Sequence, residues 1–337
     1  MKEVVIAGGG LAGLGLAHAL RNRGVPVSLH EAARYPRHRV CGEFISGVSA
    51  ATLAELGIED AFADAARHRS GTWHRMGRQM LAFELPEPAL AVSRHRLDLR
   101  LKEEFERIGG RVFEGSRLPR EARPGIVWSA GRRLERGPWI GLKAHFQGLD
   151  LSDGLEMHLG RNGYAGLTPV ENGRVNVCAL FRLDRQRSGR GPALLFDYLA
   201  AGGNAELAER LSHAAADSAS FLGVSGFELG WRTPQDDLCA IGDAAGMIPP
   251  LTGNGMSMAF EAAETAIEPL LAWSCGESGW DESVARLREV MRRRFSRRVA
   301  CAMALQGLLL QPFGAALASG LSRTGLLPFR PLLALVR

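Results

Sequence analysis

The sequence is poor in several features that would declare a partner or a compartment. Among its 41 basic residues only Lys2, Lys102 and Lys143 are lysines; arginines supply the rest and, against 36 acids, leave a formal charge of +5. Aromatic residues make up 7% of the chain and do not interleave with the basic ones, so no stacking platform for single strands is visible and no nucleic-acid partner is expected. Cys41, Cys178, Cys239, Cys275 and Cys301 are odd in number, scattered and without a C-x-x-C pair. That pattern excludes a disulfide framework and a zinc site, assigns no metal, and fits a reducing compartment. A basic leader followed by an apolar run and a cleavage site is also missing, and a cytoplasmic location is expected.

What remains is ordinary globular material: 337 residues, 46% hydrophobic and 23% charged, with 41 glycines. This is enough for one large domain or two interleaved ones. Residues 299–321 carry no charge and reach the length of a membrane span, yet Gln306, Gln311, Pro312 and several glycines suit two buried helices broken at Pro312. Just before them, 286–298 holds seven arginines against one acid, Glu289. A basic helix beside apolar ones suits either peripheral contact with anionic lipid or a solvated helix leading into a packed pair.

The strongest local signal is at the start. Residues 2–7 (KEVVIA) read as a buried parallel strand, and Gly8-Gly9-Gly10-Leu11-Ala12-Gly13 follows at once, opening a helical pattern to about Asn22. A second strand over 25–31 ends in Glu31, 18 residues beyond Gly13. In this G-x-G-x-x-G arrangement Gly8 makes the tight turn, Gly10 admits a pyrophosphate to the backbone, Gly13 lets helix and strand pack, and Glu31 accepts from a ribose. The motif alone does not separate FAD from NAD. Far along the chain, 238–241 reads as another apolar strand, with Gly242-Asp243 at its carboxyl end. A helix is predicted from Gly255 to about Ala272, its positive N-terminus suited to charge on a reduced ring.

GGGLAG followed by GDAAGMIPPLTGNGM resembles the FAD enzymes of the p-hydroxybenzoate hydroxylase type, particularly the branch with geranylgeranyl reductases, flavin halogenases and oxidoreductases of polyketide gene clusters. Arg39-Val40-Cys41-Gly42-Glu43 is similar to the R-x-C-G-E segment of that branch, and Ser93-Arg94-His95-Arg96-Leu97-Asp98 to its S-R-x-x-L-D helix start. The resemblance implies an α/β fold: a Rossmann-like FAD-binding domain (GR2 type) from 1–72, 91–135 and 230–280, an inserted, mainly antiparallel β substrate domain from 73–90 and 136–229, and a C-terminal helical segment, 281–337. It implies FAD, with Glu31 on the adenosine ribose, Arg94 on the dinucleotide and Asp243 on the ribityl and pyrophosphate region. Gly255 and Met256 would give N–H groups to the flavin, and Pro250 would lie beside the ring. Ala32, Arg39, Val40, Cys41, Gly242, Gly253 and Asn254 complete the expected cofactor set with Gly8, Gly10, Leu11, Ala12 and Gly13.

Two departures matter. Where such hydroxylases carry D-G, this chain has Ala130-Gly131, which leaves NAD(P)H as electron donor, or a separate reductase partner, open. Where halogenases and geranylgeranyl reductases carry W-x-W-x-I-P or Y-x-W-x-F-P, it has Tyr164-Ala165-Gly166-Leu167-Thr168-Pro169, without the tryptophan.

Between the motifs the pattern is β. Residues 139–146 alternate Ile140, Leu142, Ala144 and Phe146 against Gly141, Lys143 and His145, and Asn172-Gly173 marks a two-residue hairpin. Lys143 and His145 share a strand face and are the candidate bases for a phenol; Cys41 and Pro250 join them as catalytic candidates beside the flavin. The expected activity is that of a flavin-dependent oxidoreductase: a monooxygenase hydroxylating an aromatic, polyketide-like or alkyl-phenolic substrate through a flavin C4a-hydroperoxide. The alternatives are a reductase of isoprenoid double bonds and a non-catalytic flavoprotein. A small aromatic, polyketide or lipid-like molecule is the expected partner.

Overall fold

The computed structural model describes residues 1–132, 137–151, 154–231 and 237–337, with the backbone alone at Phe227. Two sheets organise the chain. The first is parallel, in the order Cys239–Ala240, Ile126–Trp128, Val4–Ala7, Val27–Glu31, Arg111–Glu114. Its central strands bury Val4, Ile6, Val27 and Leu29 beneath the helices Leu11–Asn22, Arg94–Arg107 and Gly255–Cys275, which contribute Leu14, Leu101 and Phe260 to the same core. A strand covered by helices has no solvent face to alternate with, hence the near-continuous apolar runs.

The second sheet has eight strands, in the order Ala215–Phe227, Trp139–Gln147, Val175–Arg182, Gly163–Pro169, Glu156–Leu159, Ala66–Arg75, Arg78–Ala91, Phe44–Ile45. Every pair is antiparallel except Ala66–Arg75 with Glu156–Leu159. The predicted hairpin stands at Asn172 and Gly173, both left-handed at φ 61° and 66°, between Pro169 and its partner Val175. Ile140, Leu142, Ala144 and Phe146 pack with Leu195 and Leu199 of helix Pro192–Ala201 and with Leu207 and Leu211 of helix Ala205–Ser212. The period of two therefore turns Gly141, Lys143 and His145 toward the first sheet and its loops.

The expected division at 72/73 falls inside the strand Ala66–Arg75, which pairs with Arg78–Ala91 from end to end. The eight-stranded sheet therefore includes this strand from Ala66 onward. The division at 135/136 and the stretch 232–236 of the third expected FAD segment lie outside the described residues.

At the C-terminus, helices Trp280–Leu310 and Pro312–Arg323 meet at 94°, with Pro312 at the first position of the second helix, where its missing N–H costs nothing. Val299, Ala302, Gln306 and Leu309 are buried against the rest of the protein, as two helices broken at Pro312 require. Among the described residues no single helix is long and apolar enough to cross a membrane.

Candidate active site

Between the two sheets lies a cavity of about 1300 Å³ reached by both sequence motifs. At its first end the chain leaves Val4–Ala7 through Gly8, whose φ is 113° and where a Cβ would meet the Ala130 backbone at 2.5 Å. At Gly13 a Cβ would fall 2.1 Å from the Gly8 carbonyl oxygen. Gly10 differs from both: its conformation is ordinary (φ −89°, ψ −174°), and the nearest atom to a Cβ is Arg94 Nη2 at 4.0 Å. Gly8 and Gly13 are therefore demanded by the protein's own packing, whereas Gly10 borders open space.

Helix Leu11–Asn22 begins at that space with no side-chain cap and no acid in its first turn, so its leading N–H groups are left for a ligand. The second end of the cavity repeats the device. Helix Gly255–Cys275 also lacks a side-chain cap and a first-turn acid, because Asn254 Nδ2 donates to the Val336 carbonyl instead. Gly253 turns the chain into it at φ 68°, and Pro250, Gly253, Gly255 and Met256 line the wall. Asp243 lines it too, at the end of Cys239–Ala240; enclosure raises its carboxyl pKa against the pull of Arg132 and Arg94. Gly13, Gly242 and Asn254 stand behind the lining. Gly242 has φ 61° and little room, since a Cβ would come within 2.9 Å of the Ala12 Cβ.

Arginines of the wall are held by acids at or behind it. Arg94 is buried and grips Asp98 with two bonds, Nε to Oδ1 at 2.6 Å and Nη2 to Oδ2 at 2.8 Å. Burial works against the Arg94 charge, yet Asp98 outweighs it and its pKa rises. Arg39 donates to the same Asp98 Oδ2 (2.8 Å), to the Gly9 carbonyl (3.1 Å) and to Glu31 Oε2 (3.3 Å). Glu31 accepts from the N–H of Gly9 (2.9 Å) and of Ala33 (3.0 Å) and pairs with Arg37. Burial pushes the Glu31 pKa up, but Arg39, Ala33, Arg37 and Gly9 together hold it below the usual range. Ala32, Arg39, Val40 and Cys41 all line the cavity; burial raises the Cys41 thiol pKa despite Arg94.

Lys143 and His145 are fully buried and do not line the cavity. Both converge on Glu43: His145 Nε2 lies 2.7 Å from Oε2 and Lys143 Nζ 3.4 Å from Oε1, which also accepts the Arg94 N–H at 2.9 Å. Glu43 holds a left-handed conformation, φ 54°, unusual for a residue with a Cβ and typical of a strained functional position. The link to the cavity is His38, which lines it and places Nδ1 3.1 Å from Lys143 Nζ. Burial, then Lys143, His145 and His95, lowers the His38 pKa to about 4, so the ring is neutral at pH 7. Glu43, Asp98 and His38 are the residues whose roles the sequence did not disclose. The acid four residues after Arg94 and the acid of R-x-C-G-E were the available signals.

The far half of the cavity is apolar. Trp73, Met80, Phe83 and Met157 of the second sheet face Leu309 and Ala318 of the C-terminal helices, and Gly166 leaves its position without a side chain. Tyr164 joins the two halves: its hydroxyl donates to Gln306 Oε1 (2.9 Å) and accepts the Leu251 N–H (2.9 Å).

These residues fit FAD. Gly10 offers a gap that a Cβ would fill, and the helix N-termini at either end of one cavity leave N–H donors unpaired. Glu31 lies at the end of the second strand, and the donor set matches a ligand with phosphates at one end and an electron-rich ring at the other.

Comparison with known proteins agrees with that fit. Residues 1–122 match the family model of the FAD binding domain. Over 164 residues the chain is 27% identical to a menaquinone reductase of Mycobacterium tuberculosis, covering 47% of this chain and 39% of that protein, so the match spans about two-fifths of the relative's length. Among solved structures the fold is similar to the flavin-dependent brominase Bmp2 (TM-score 0.75, 18% identity, covering 98% of this chain and 93% of that one). It is similar too to a geranylgeranyl bacteriochlorophyll reductase-like protein of Thermoplasma acidophilum (0.75, 18%, covering 100% and 96%). The p-nitrophenol 4-monooxygenase PnpA of Pseudomonas putida also shares it (0.72, 15%, covering 100% and 98%). The chain has the p-hydroxybenzoate hydroxylase-type fold, with its FAD-binding domain opening the sequence.

Proposed function

We propose that this FAD-dependent oxidoreductase of the p-hydroxybenzoate hydroxylase type is a monooxygenase that hydroxylates an apolar aromatic substrate, of polyketide-like or alkyl-phenolic character. The observation that carries the reading is a single cavity, one half suited to the dinucleotide and the other apolar, with the His38 imidazole at its wall in contact with Lys143. Bound FAD supplies the redox chemistry, taking electrons from a donor and passing them to dioxygen. The chain's own part is to hold, orient, exclude water and keep a proton on His38 Nε2.

The N–H groups of Gly10, Leu11 and Ala12 would hold the pyrophosphate, Glu31 the ribose, and Asp243 the ribityl region. Gly255 and Met256 would offer N–H groups to the flavin, and Pro250 and Cys41, which line the same cavity, would help to enclose it. The apolar wall keeps water from the reacting atoms. His38 lines the cavity, and its Nδ1 accepts from Lys143 Nζ, so the neutral ring carries its proton on Nε2. Lys143 Nζ, 3.1 Å from Nδ1, fixes that tautomer, and Glu43 with His145 fixes the lysine in place. The roles expected for Lys143 and His145 become indirect: both act through His38. NAD(P)H, a reductase partner or an artificial reductant can provide the electrons in this scheme.

The test is oxygen uptake by the FAD-loaded protein with an excess of reductant and alkyl phenols of increasing chain length. Uptake matched by hydroxylated product supports the proposal. Uptake that yields only hydrogen peroxide with every phenol overturns it. A second reading, reduction of isoprenoid double bonds, is favoured by the apolar half of the cavity and by the name of the menaquinone reductase relative. It requires turnover without oxygen.

A further inference from the structure

We propose that the C-terminal segment rests on an anionic lipid surface and that the apolar half of the cavity opens into that contact. The mouth rests on the apolar substrate proposed above; the docking does not. Six large apolar side chains are exposed over one short stretch: Met303 (36%), Leu308 (46%), Phe313 (76%), Leu317 (46%), Leu326 (70%) and Leu335 (45%). Only Met1, Met76, Phe113 and Val290 are comparably exposed among the other described residues. Isolated exposed apolar side chains need no explanation, whereas six concentrated in residues 303–335 point to a contact surface.

Charge identifies the occupant. From Val290 to Arg337 the sequence contains no acid, while Arg323, Arg330 and Arg337 punctuate the apolar stretch. Arg323 and Arg330 are exposed and have no ion-pair partner among the described residues. A protein partner of mixed charge has no need of this one-sided pattern. Apolar side chains between unpaired arginines match the interfacial region of a bilayer with anionic headgroups.

Three features make this a surface contact and not a span. The 94° bend at Gln311 turns the two helices away from a common axis. Their inner faces are committed to the protein, through Gln306 on Tyr164 and through Gly314 and Ala318 in the interior. Leu308 and Leu317 line the cavity and are exposed as well, which puts its opening inside the apolar patch. A lipid-soluble substrate thus passes from bilayer to cavity without crossing water.

The test is cosedimentation of the full-length, FAD-loaded protein with vesicles at low salt, comparing phosphatidylglycerol with phosphatidylcholine. Phe313 and Leu326 lie outside the cavity wall, so Phe313→Asp and Leu326→Asp leave the site intact. Each is expected to weaken vesicle binding about tenfold, and Arg323→Ala or Arg330→Ala about fivefold on the anionic vesicles alone. The FAD spectrum and thermal midpoint of each variant are expected to match the parent's, which separates lost docking from misfolding. Protein left in the supernatant at low salt overturns the proposal. So does equal binding by the Asp variants, or a dimer formed through this patch that ignores vesicles. None of these readouts depends on turnover, so failure here is distinct from failure of the proposed reaction.

Discussion

The glycine at position 10 separates what the fold needs from what the cofactor needs. Gly10→Ala adds a methyl group whose nearest protein atom is 4.0 Å away, on a backbone at φ −89° that any residue adopts. Two small terms act on the apoprotein. Alanine is a poorer helix N-cap than glycine by up to about 1 kcal/mol, and it removes about 0.4–1 kcal/mol of unfolded-chain entropy. They oppose each other, so the apoprotein midpoint is expected to move by no more than about 2 °C. If the proposed site holds the pyrophosphate in that open space, the methyl would crowd it, and crowding of that kind costs about 1–3 kcal/mol, or roughly 5- to 150-fold in Kd. Gly13→Ala is the control. Its Cβ would lie 2.1 Å from the Gly8 carbonyl and 2.5 Å from Ser129 Oγ, so the protein itself must shift. A loss of about 3 kcal/mol in the apoprotein is expected, beyond what the better helix propensity of alanine restores. Circular dichroism melts of both apoproteins and FAD titrations by fluorescence quenching separate the cases. Parent-like FAD affinity in Gly10→Ala, or equal destabilisation by the two variants, would refute the reasoning.

Three other outcomes follow from the same geometry. Asp98→Asn leaves the Arg94 and Arg39 guanidiniums around a fully buried neutral amide, and a loss of about 3–5 kcal/mol is expected in denaturant melts; a loss below 1 kcal/mol would contradict the pairing. Tyr164→Phe strands the Leu251 N–H and the Gln306 side chain, and about 1–3 kcal/mol of stability should go with them. His38 has a pKa of about 4 in the folded protein against 6.5 for an unperturbed histidine, so the unfolded chain binds more protons between those values. Its contribution makes stability rise as pH increases from about 4 to 6.5, and His38→Gln should make that slope shallower. Superimposable pH profiles would show that the imidazole is not held neutral.

Much of this was legible in the sequence, for a physical reason. The parallel strand, the Gly8–Gly13 turn and the helix after it are local devices whose residues are dictated by backbone geometry, and Val4–Ala7, Leu11–Asn22 and Gly255–Cys275 stand where the pattern put them. The hairpin at Asn172-Gly173 was equally readable, because a left-handed pair of residues leaves few alternatives. The period of two told which residues share a face with Lys143, but not what covers that face. His38 and Glu43 lie about a hundred positions from the strand they meet, and no local spacing encodes that contact. The parallel pairing of Ala66–Arg75 with Glu156–Leu159 escaped for the same reason.

The central claim is that one oxygen atom of dioxygen reaches an apolar aromatic substrate in this cavity. Turnover of the FAD-loaded protein with an alkyl phenol under ¹⁸O₂, read by mass spectrometry of the product, tests it most directly. One labelled oxygen atom per hydroxylated product is the predicted result. Unlabelled product, or an anaerobic reaction that saturates a double bond of a prenyl chain at the same rate as in air, would contradict it.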